Sequence, residues 1–133
     1  LEHLSAHYKL GTIANQQPGL RNRLRALGIE PFFSAIVGSG DVGLKKPDPA
    51  IFKEALAQAQ CPPKQAVMIG DRLDNDILPA QSLGMKTVWV RQGFGVYGNP
   101  RMLSKPPDLV IQSISELEAV CYYDFNPHNF TEH

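Results

Sequence analysis

Short apolar runs alternate along the chain with stretches whose apolar residues recur every three or four positions, and Gly, Pro, Asn or Asp marks each change of pattern. That alternation predicts an α/β protein built on a parallel sheet. Residues 10–14, 67–69, 88–90 and 109–111 are almost continuously apolar, as strands covered on both faces are, and 35–37 is a weaker candidate. Leu20, Leu24 and Leu27 stand at helical spacing ahead of Gly28, a residue able to close a helix in the left-handed conformation, so a first helix is expected over 18–27. Asp48 before Pro49 reads as an N-cap followed by proline at the first helical position. Ile51, Phe52, Ala55, Leu56 and Ala59 form the stripe of that second helix, which stops before Pro62 and Pro63. A third helix, capped by Asp74 or Asn75, carries Ile77, Ala80 and Leu83 ahead of Gly84, with Pro79 near its first turn. Ser113 with Glu116 forms a capping box for a last helix through Ile114, Leu117 and Cys121. Residues 93–107 make a long loop rich in Gly and Pro. The segment 121–133 bears Tyr122, Tyr123, Phe125 and Phe130 without periodicity and is expected to be a peripheral tail.

Composition narrows the class. The chain has 133 residues, and a prior of roughly 150 residues per domain leaves room for one domain. Thirteen Lys and Arg balance thirteen Asp and Glu, so no surplus of basic charge exists to neutralise phosphates, which argues against a nucleic-acid partner. No apolar run approaches the roughly 18 residues of a membrane helix, and the first eight residues lack the layout of a signal peptide. A cytoplasmic protein with no membrane partner is therefore expected. Cys61 and Cys121 are too few for a disulfide framework and read as reduced thiols. His3, His7, His128 and His133 lie near the termini. The first two have the spacing of metal ligands on a helix, but no third ligand is identifiable, and solvated residues are expected. The chain opens at Leu1 without an initiator methionine, which suggests a start inside a longer sequence.

Three stretches carry candidate chemistry. In Val67-Met68-Ile69-Gly70-Asp71-Arg72-Leu73-Asp74-Asn75-Asp76-Ile77 an apolar strand ends in Gly-Asp before acidic residues open a helix. Ligands of open parallel sheets sit outside the carboxyl ends of the strands, and Gly70 allows a sharp turn there. Asp71 and Asp76 are thus metal candidates, since Mg²⁺ takes one or two carboxylates together with waters and substrate phosphate. Acidic residues there also suit simple capping of the helix, the better account of Asp74. In Gly43-Leu44-Lys45-Lys46-Pro47-Asp48-Pro49 a basic pair precedes a helix N-terminus, with Pro47 restricting Lys46 to an extended conformation. An ammonium beside helix N–H groups is a phosphate site, although two ordinary surface lysines would give the same letters. Third, the strand Lys9-Leu10-Gly11-Thr12-Ile13-Ala14 ends at Asn15, a polar terminus able to hydrogen-bond an anionic substrate.

In this order the three stretches resemble the haloacid dehalogenase-like hydrolase superfamily, most of whose members are Mg²⁺-dependent phosphatases. The likeness runs from Tyr8 to Val120, and residues 1–120 are read as a partial core of that kind. Val88-Trp89-Val90-Arg91-Gln92-Gly93-Phe94-Gly95 and Pro107-Asp108-Leu109-Val110-Ile111 match its closing segments. The resemblance implies a three-layer, Rossmann-like parallel sheet. It makes Asp71 a direct Mg²⁺ ligand with Asp76 as its acidic companion, and gives Lys46 a catalytic role in neutralising the phosphoryl oxygens and the nucleophile. Asn15 becomes part of the phosphate-binding motif.

Two departures from the family pattern stand out. Where the second motif has Ser or Thr before Asn, this chain has Ala14 before Asn15. Thr12 shares that face but lies two residues back, roughly 6.5 Å along the strand. The family's Asp-x-Asp, whose first Asp attacks phosphorus to form an aspartyl-phosphate and whose second is general acid and base, has no counterpart at a strand end. Asp74-Asn75-Asp76 has that spacing but belongs to the metal motif. The resemblance therefore implies a core without its first central strand and without its cap, and an inactive chain whose sheet is completed by an amino-terminal segment of the parent protein or by a second chain. The expected function is phosphatase action on a small phosphorylated metabolite. The alternative is a non-catalytic pseudophosphatase or interaction module.

Overall fold

A computed structural model describes residues 1–93 and 98–116. The chain divides into two compact units, Leu1–Pro62 and Pro63–His133, and each holds a parallel sheet of its own.

The first unit opens with α1 (Glu2–His7), a short helix that the apolar pattern did not reveal because none of its residues is buried. Strand β1 (Leu10–Ala14) pairs in parallel with β2 (Phe33–Gly38), in register from Gly11 opposite Ala35 to Ala14 opposite Gly38. Parallel neighbours need a crossover, and α2 (Leu20–Ala26) supplies it. Leu20 and Leu24 pack on Ile36, with Ala14, Ile29 and Phe33 around them. The helix starts later than the expected Pro18, because Gly19 takes a left-handed conformation at φ 100° as its N-cap. Gly28 closes the following turn at φ 76°, as its position suggests.

Helix α3 (Ser39–Val42) is a single turn absent from the sequence reading, and α4 (Pro49–Ala59) follows it. Here the capping expectation holds: the Asp48 carboxylate accepts from Ala50 N–H at 2.9 Å. Ile51 and Phe52 are fully buried and Ala55 nearly so. The helix ends at Gln60 in the left-handed conformation, at φ 52°.

The second unit holds β3 (Val67–Gly70), β4 (Lys86–Val90) and β5 (Leu109–Ile111), parallel and in that order. Between β3 and β4 a π-helical turn, Leu73–Ile77, runs into α5 (Leu78–Ser82), with Pro79 in the first turn of the latter. The third helix therefore begins neither at Asp74 nor at Asn75. Its N-cap is Arg72, whose carbonyl takes both Asp76 N–H at 2.8 Å and Ile77 N–H at 3.3 Å. The widened turn buries Leu73, Asp76 and Ile77 together, which a turn starting at Asp74 does not do. Leu73, Ile77 and Trp89 form the local core, with Leu103 against it.

Much of the expected 93–107 loop is anchored. Pro100–Met102 forms a 3-10 turn capped by Asn99, and the Gln81 side-chain amide donates to the carbonyls of Lys105 and Pro106 at 3.2 and 3.3 Å. After β5 the capping box yields a short 3-10 turn, Ile114–Glu116, with Ser113 Oγ accepting from Ser115 N–H at 3.3 Å. Leu117, Cys121, the 121–133 tail, His128 and His133 lie outside the described residues, as do residues 94–97.

Within the described residues, β1 forms a ladder only with β2, and β3 only with β4. Among these residues each therefore has a strand partner along one edge. No described helix is long and apolar enough to cross a membrane.

Candidate active site

In the first unit the carboxyl end of β1 carries Asn15, and the turn before α4 carries Lys46. They are 31 residues apart, yet the Asn15 side chain joins them twice: Nδ2 donates to the Lys46 carbonyl at 3.0 Å, and Oδ1 accepts from Lys46 N–H at 2.8 Å. Lys46 stands in a turn that Asp48 N–H closes onto the Lys45 carbonyl at 3.0 Å, and the Lys46–Pro47 peptide is cis. A cis proline is the usual mark of such a tight turn. Asn15 thus grips the backbone of the lysine turn, a task that its reading as a phosphate ligand did not anticipate.

The loop after β1 is pinned on several sides. Arg23 donates to Gln16 Oε1 through Nε at 3.1 Å and Nη2 at 2.8 Å, and also to the carbonyls of Gln17 and Pro18. Ser39 Oγ accepts from Gln16 N–H at 2.9 Å and donates to its carbonyl at 3.1 Å. Asp41 accepts from Gly19 N–H at 2.9 Å and from Leu20 N–H at 3.3 Å, capping α2 from another segment. The Arg23 bonds are local, spanning five to seven residues, whereas those of Ser39 and Asp41 join stretches 21 to 23 residues apart that meet only once β1 and β2 have paired. Ala14, where a hydroxyl was looked for, packs its methyl against the Leu20–Leu24–Ile36 cluster.

The second unit gathers Asp71 and Asp76 at the carboxyl end of β3. Asp71 is half-buried, whereas Asp76 is only 4% exposed. Asp76 Oδ2 accepts from Arg72 N–H at 3.2 Å. Its side chain lies so close over Gly70 that a Cβ there would be 2.5 Å from that oxygen, which is why the strand must end in glycine. Asp74 turns elsewhere: its carboxylate takes Arg72 Nε at 3.1 Å and Nη2 at 2.8 Å, and Asn75 N–H at 2.9 Å. The Arg72 hydrogen bond lowers the Asp74 carboxyl from its ordinary range and raises the guanidinium in return. Asp74 is thus occupied with charge pairing.

The donor set of the carboxylate pair suits Mg²⁺: two hard oxygen donors on one short segment, one of them buried and braced by a backbone N–H. Among the described residues no group of three or more His, Cys, Asp or Glu could hold a metal, so a metal on this pair would need further ligands from outside that set. His3 and His7 do meet, with ring centroids 5.2 Å apart. Cys61 is a free thiol whose partial burial pushes its pKa up, against an opposing pull from Lys9.

Parallel strands that carry polar side chains just beyond their carboxyl ends, as β1 and β3 each do in their own unit, mark an open α/β fold, in which ligands bind at that edge. The chain belongs to the HAD-hydrolase-like family, whose model matches residues 43–117. A glyceraldehyde 3-phosphate phosphatase from Methanopyrus kandleri is 40% identical over 114 residues, covering 83% of this chain and 48% of its own length. The 2-haloacid dehalogenase structure from Pseudomonas syringae is 33% identical at a TM-score of 0.74, over 91% of this chain and 49% of that one. A putative HAD-hydrolase from Bacillus subtilis, solved bound to magnesium, is 28% identical at a TM-score of 0.70, over 91% and 51% respectively. The chain thus spans about half the length of the curated relatives it matches.

Proposed function

We propose that this chain is the metal- and phosphate-binding part of a Mg²⁺-dependent phosphatase acting on a small phosphomonoester. The observation that carries the reading is the carboxylate pair at the end of β3, with Asp76 buried over Gly70 and braced by Arg72 N–H. Asp71 binds the metal directly and Asp76 supports it; Lys46, held by Asn15, neutralises phosphoryl oxygens as charge moves onto them. Bound Mg²⁺ would supply charge neutralisation on the transferring phosphoryl group. Asp74 and Asp76 are both engaged in the β3 segment, so neither serves as the nucleophile of an aspartyl-phosphate. In this reading the nucleophilic Asp-x-Asp arrives on a further strand, from the amino-terminal part of the parent protein or from a second chain. A small, soluble phosphorylated metabolite agrees with a cytoplasmic setting.

The 133-residue chain alone is expected to leave an aryl phosphate unhydrolysed in Mg²⁺, and to gain turnover when the parent protein's amino-terminal segment is added. Hydrolysis by the chain alone that disappears in Asp71→Ala would overturn this. The partly buried methyl of Ala14, where the family pattern has a hydroxyl, favours a second reading, a pseudophosphatase or interaction module. Complementation separates the two: a completed protein that binds Mg²⁺ yet stays inactive, and gains turnover with Ala14→Ser, belongs to the second.

A further inference from the structure

Trp89 is the only tryptophan in the sequence, and none of the roles assigned above uses its polar group. Its ring is 3% exposed and packs with Leu73 and Ile77. Gly98 approaches so closely that a Cβ there would be 2.8 Å from Trp89 Cζ2, and the Arg91 guanidinium lies over the ring, 5.3 Å from a ring centroid. The indole is therefore held on several sides, and the direction of its N–H with it. That N–H donates to the Asp71 carbonyl at 3.2 Å.

The Asp71 carbonyl and the Arg72 N–H are the two ends of one peptide group. The first is held by Trp89 and the second donates to Asp76 Oδ2 at 3.2 Å. One peptide plane is thus fixed at both polar ends, and its orientation sets the direction in which the Asp71 side chain leaves the backbone. Donation to the carbonyl also polarises the amide, strengthening the N–H that braces Asp76.

We infer that Trp89 is a positioning residue for the metal-binding carboxylates, acting through the Asp71–Arg72 peptide. This rests on the assignment of Asp71 and Asp76 as the Mg²⁺ site. The expected consequence of Trp89→Phe, which keeps most of the ring and removes the N–H, is Mg²⁺ binding weaker by about tenfold, the lower end for lost outer-shell partners. Calorimetric titration of the full chain with Mg²⁺ alone reads it. Leu103→Ala is the control, since it loosens the same cluster without touching the hydrogen bond. It should lower the melting temperature and leave Mg²⁺ affinity within twofold.

Affinity unchanged in Trp89→Phe, or lost equally in Leu103→Ala, overturns the inference while leaving the metal site standing. Absence of Asp71-dependent Mg²⁺ binding in the unmutated chain overturns both. Should Trp89→Phe fail to fold, the indole N–H resonance of the unmutated chain decides. It should shift on Mg²⁺ addition and stay still in Asp71→Asn. An unmoved resonance during calorimetrically detected, Asp71-dependent binding counts against the inference.

Discussion

The lysine turn of the first unit and the carboxylate pair of the second are built in opposite ways. Asp71 and Asp76 are five residues apart on one strand-to-helix connection, and a single backbone N–H next to one of them braces the other. Lys46 owes its place to Asn15, 31 residues earlier, and the loop beside Asn15 owes its shape to Arg23, Ser39 and Gly40. A local site survives as a sequence motif because its geometry follows from short-range backbone rules. A site assembled from distant segments is only as well defined as the sheet pairing behind it.

The sharpest way to break that contrast uses one glycine from each unit. An alanine Cβ at Gly40 would lie within 2.7 Å of Gln16 O and closer still to backbone of Gln17 and Pro18, none of which can swing aside. Gly40→Ala should destabilise the chain by about 3 kcal/mol, the upper range for overpacking, as read by urea denaturation. At Gly70 the obstacle is the Asp76 side chain, which can rotate away. Gly70→Ala should therefore cost less stability, about 1 to 2 kcal/mol, while abolishing Mg²⁺ binding. Equal stability losses, or Mg²⁺ binding retained in Gly70→Ala, would count against the contrast.

Of intermediate size is Asn15→Ala, which removes both hydrogen bonds to the Lys46 backbone. These are exposed, so the stability change should be about 1 kcal/mol. The specific signature is faster hydrogen exchange at the Lys46 amide, with the Arg72 amide of the other unit unchanged. Asn15→Asp keeps an acceptor and should restore part of the protection.

The smallest effect belongs to the Arg72–Asp74 pair. Its side chains are 48% and 51% exposed, so solvent screening limits it to about 0.5 kcal/mol. Because folding lowers the Asp74 carboxyl, its contribution is fully present above the unfolded value of about 3.9 and is lost as pH falls through the lower folded value. Asp74→Asn should accordingly lower the urea midpoint slightly at pH 6 and by less as the pH drops below 4. A pH-independent difference would show that the pair stabilises by geometry rather than by charge.

The strands were legible wherever apolar runs were continuous. Leu10–Ala14 and Leu109–Ile111 stand where the pattern puts them, while β2 and β4 are longer than their apolar runs because Phe33 pairs with Leu10 ahead of a bulge and Lys86 pairs with Val67. The Asp48 cap was legible because it depends on neighbours within two residues. The start of the third helix was not, because Arg72 enters the turn through the burial of Leu73 and Ile77, which the periodicity does not encode.

By itself, then, the amino-acid order determined the α/β class, the strand that ends in Gly70-Asp71 and the candidates for binding metal or phosphate, since all of these rest on period, turn chemistry and side-chain type. The tertiary structure decided which of them are held and by what: Asn15 on the Lys46 backbone and Trp89 on the Asp71 carbonyl. Hydrogen bonds between segments 18 or 31 residues apart exist only after the strands have paired, and no spacing along the chain announces them.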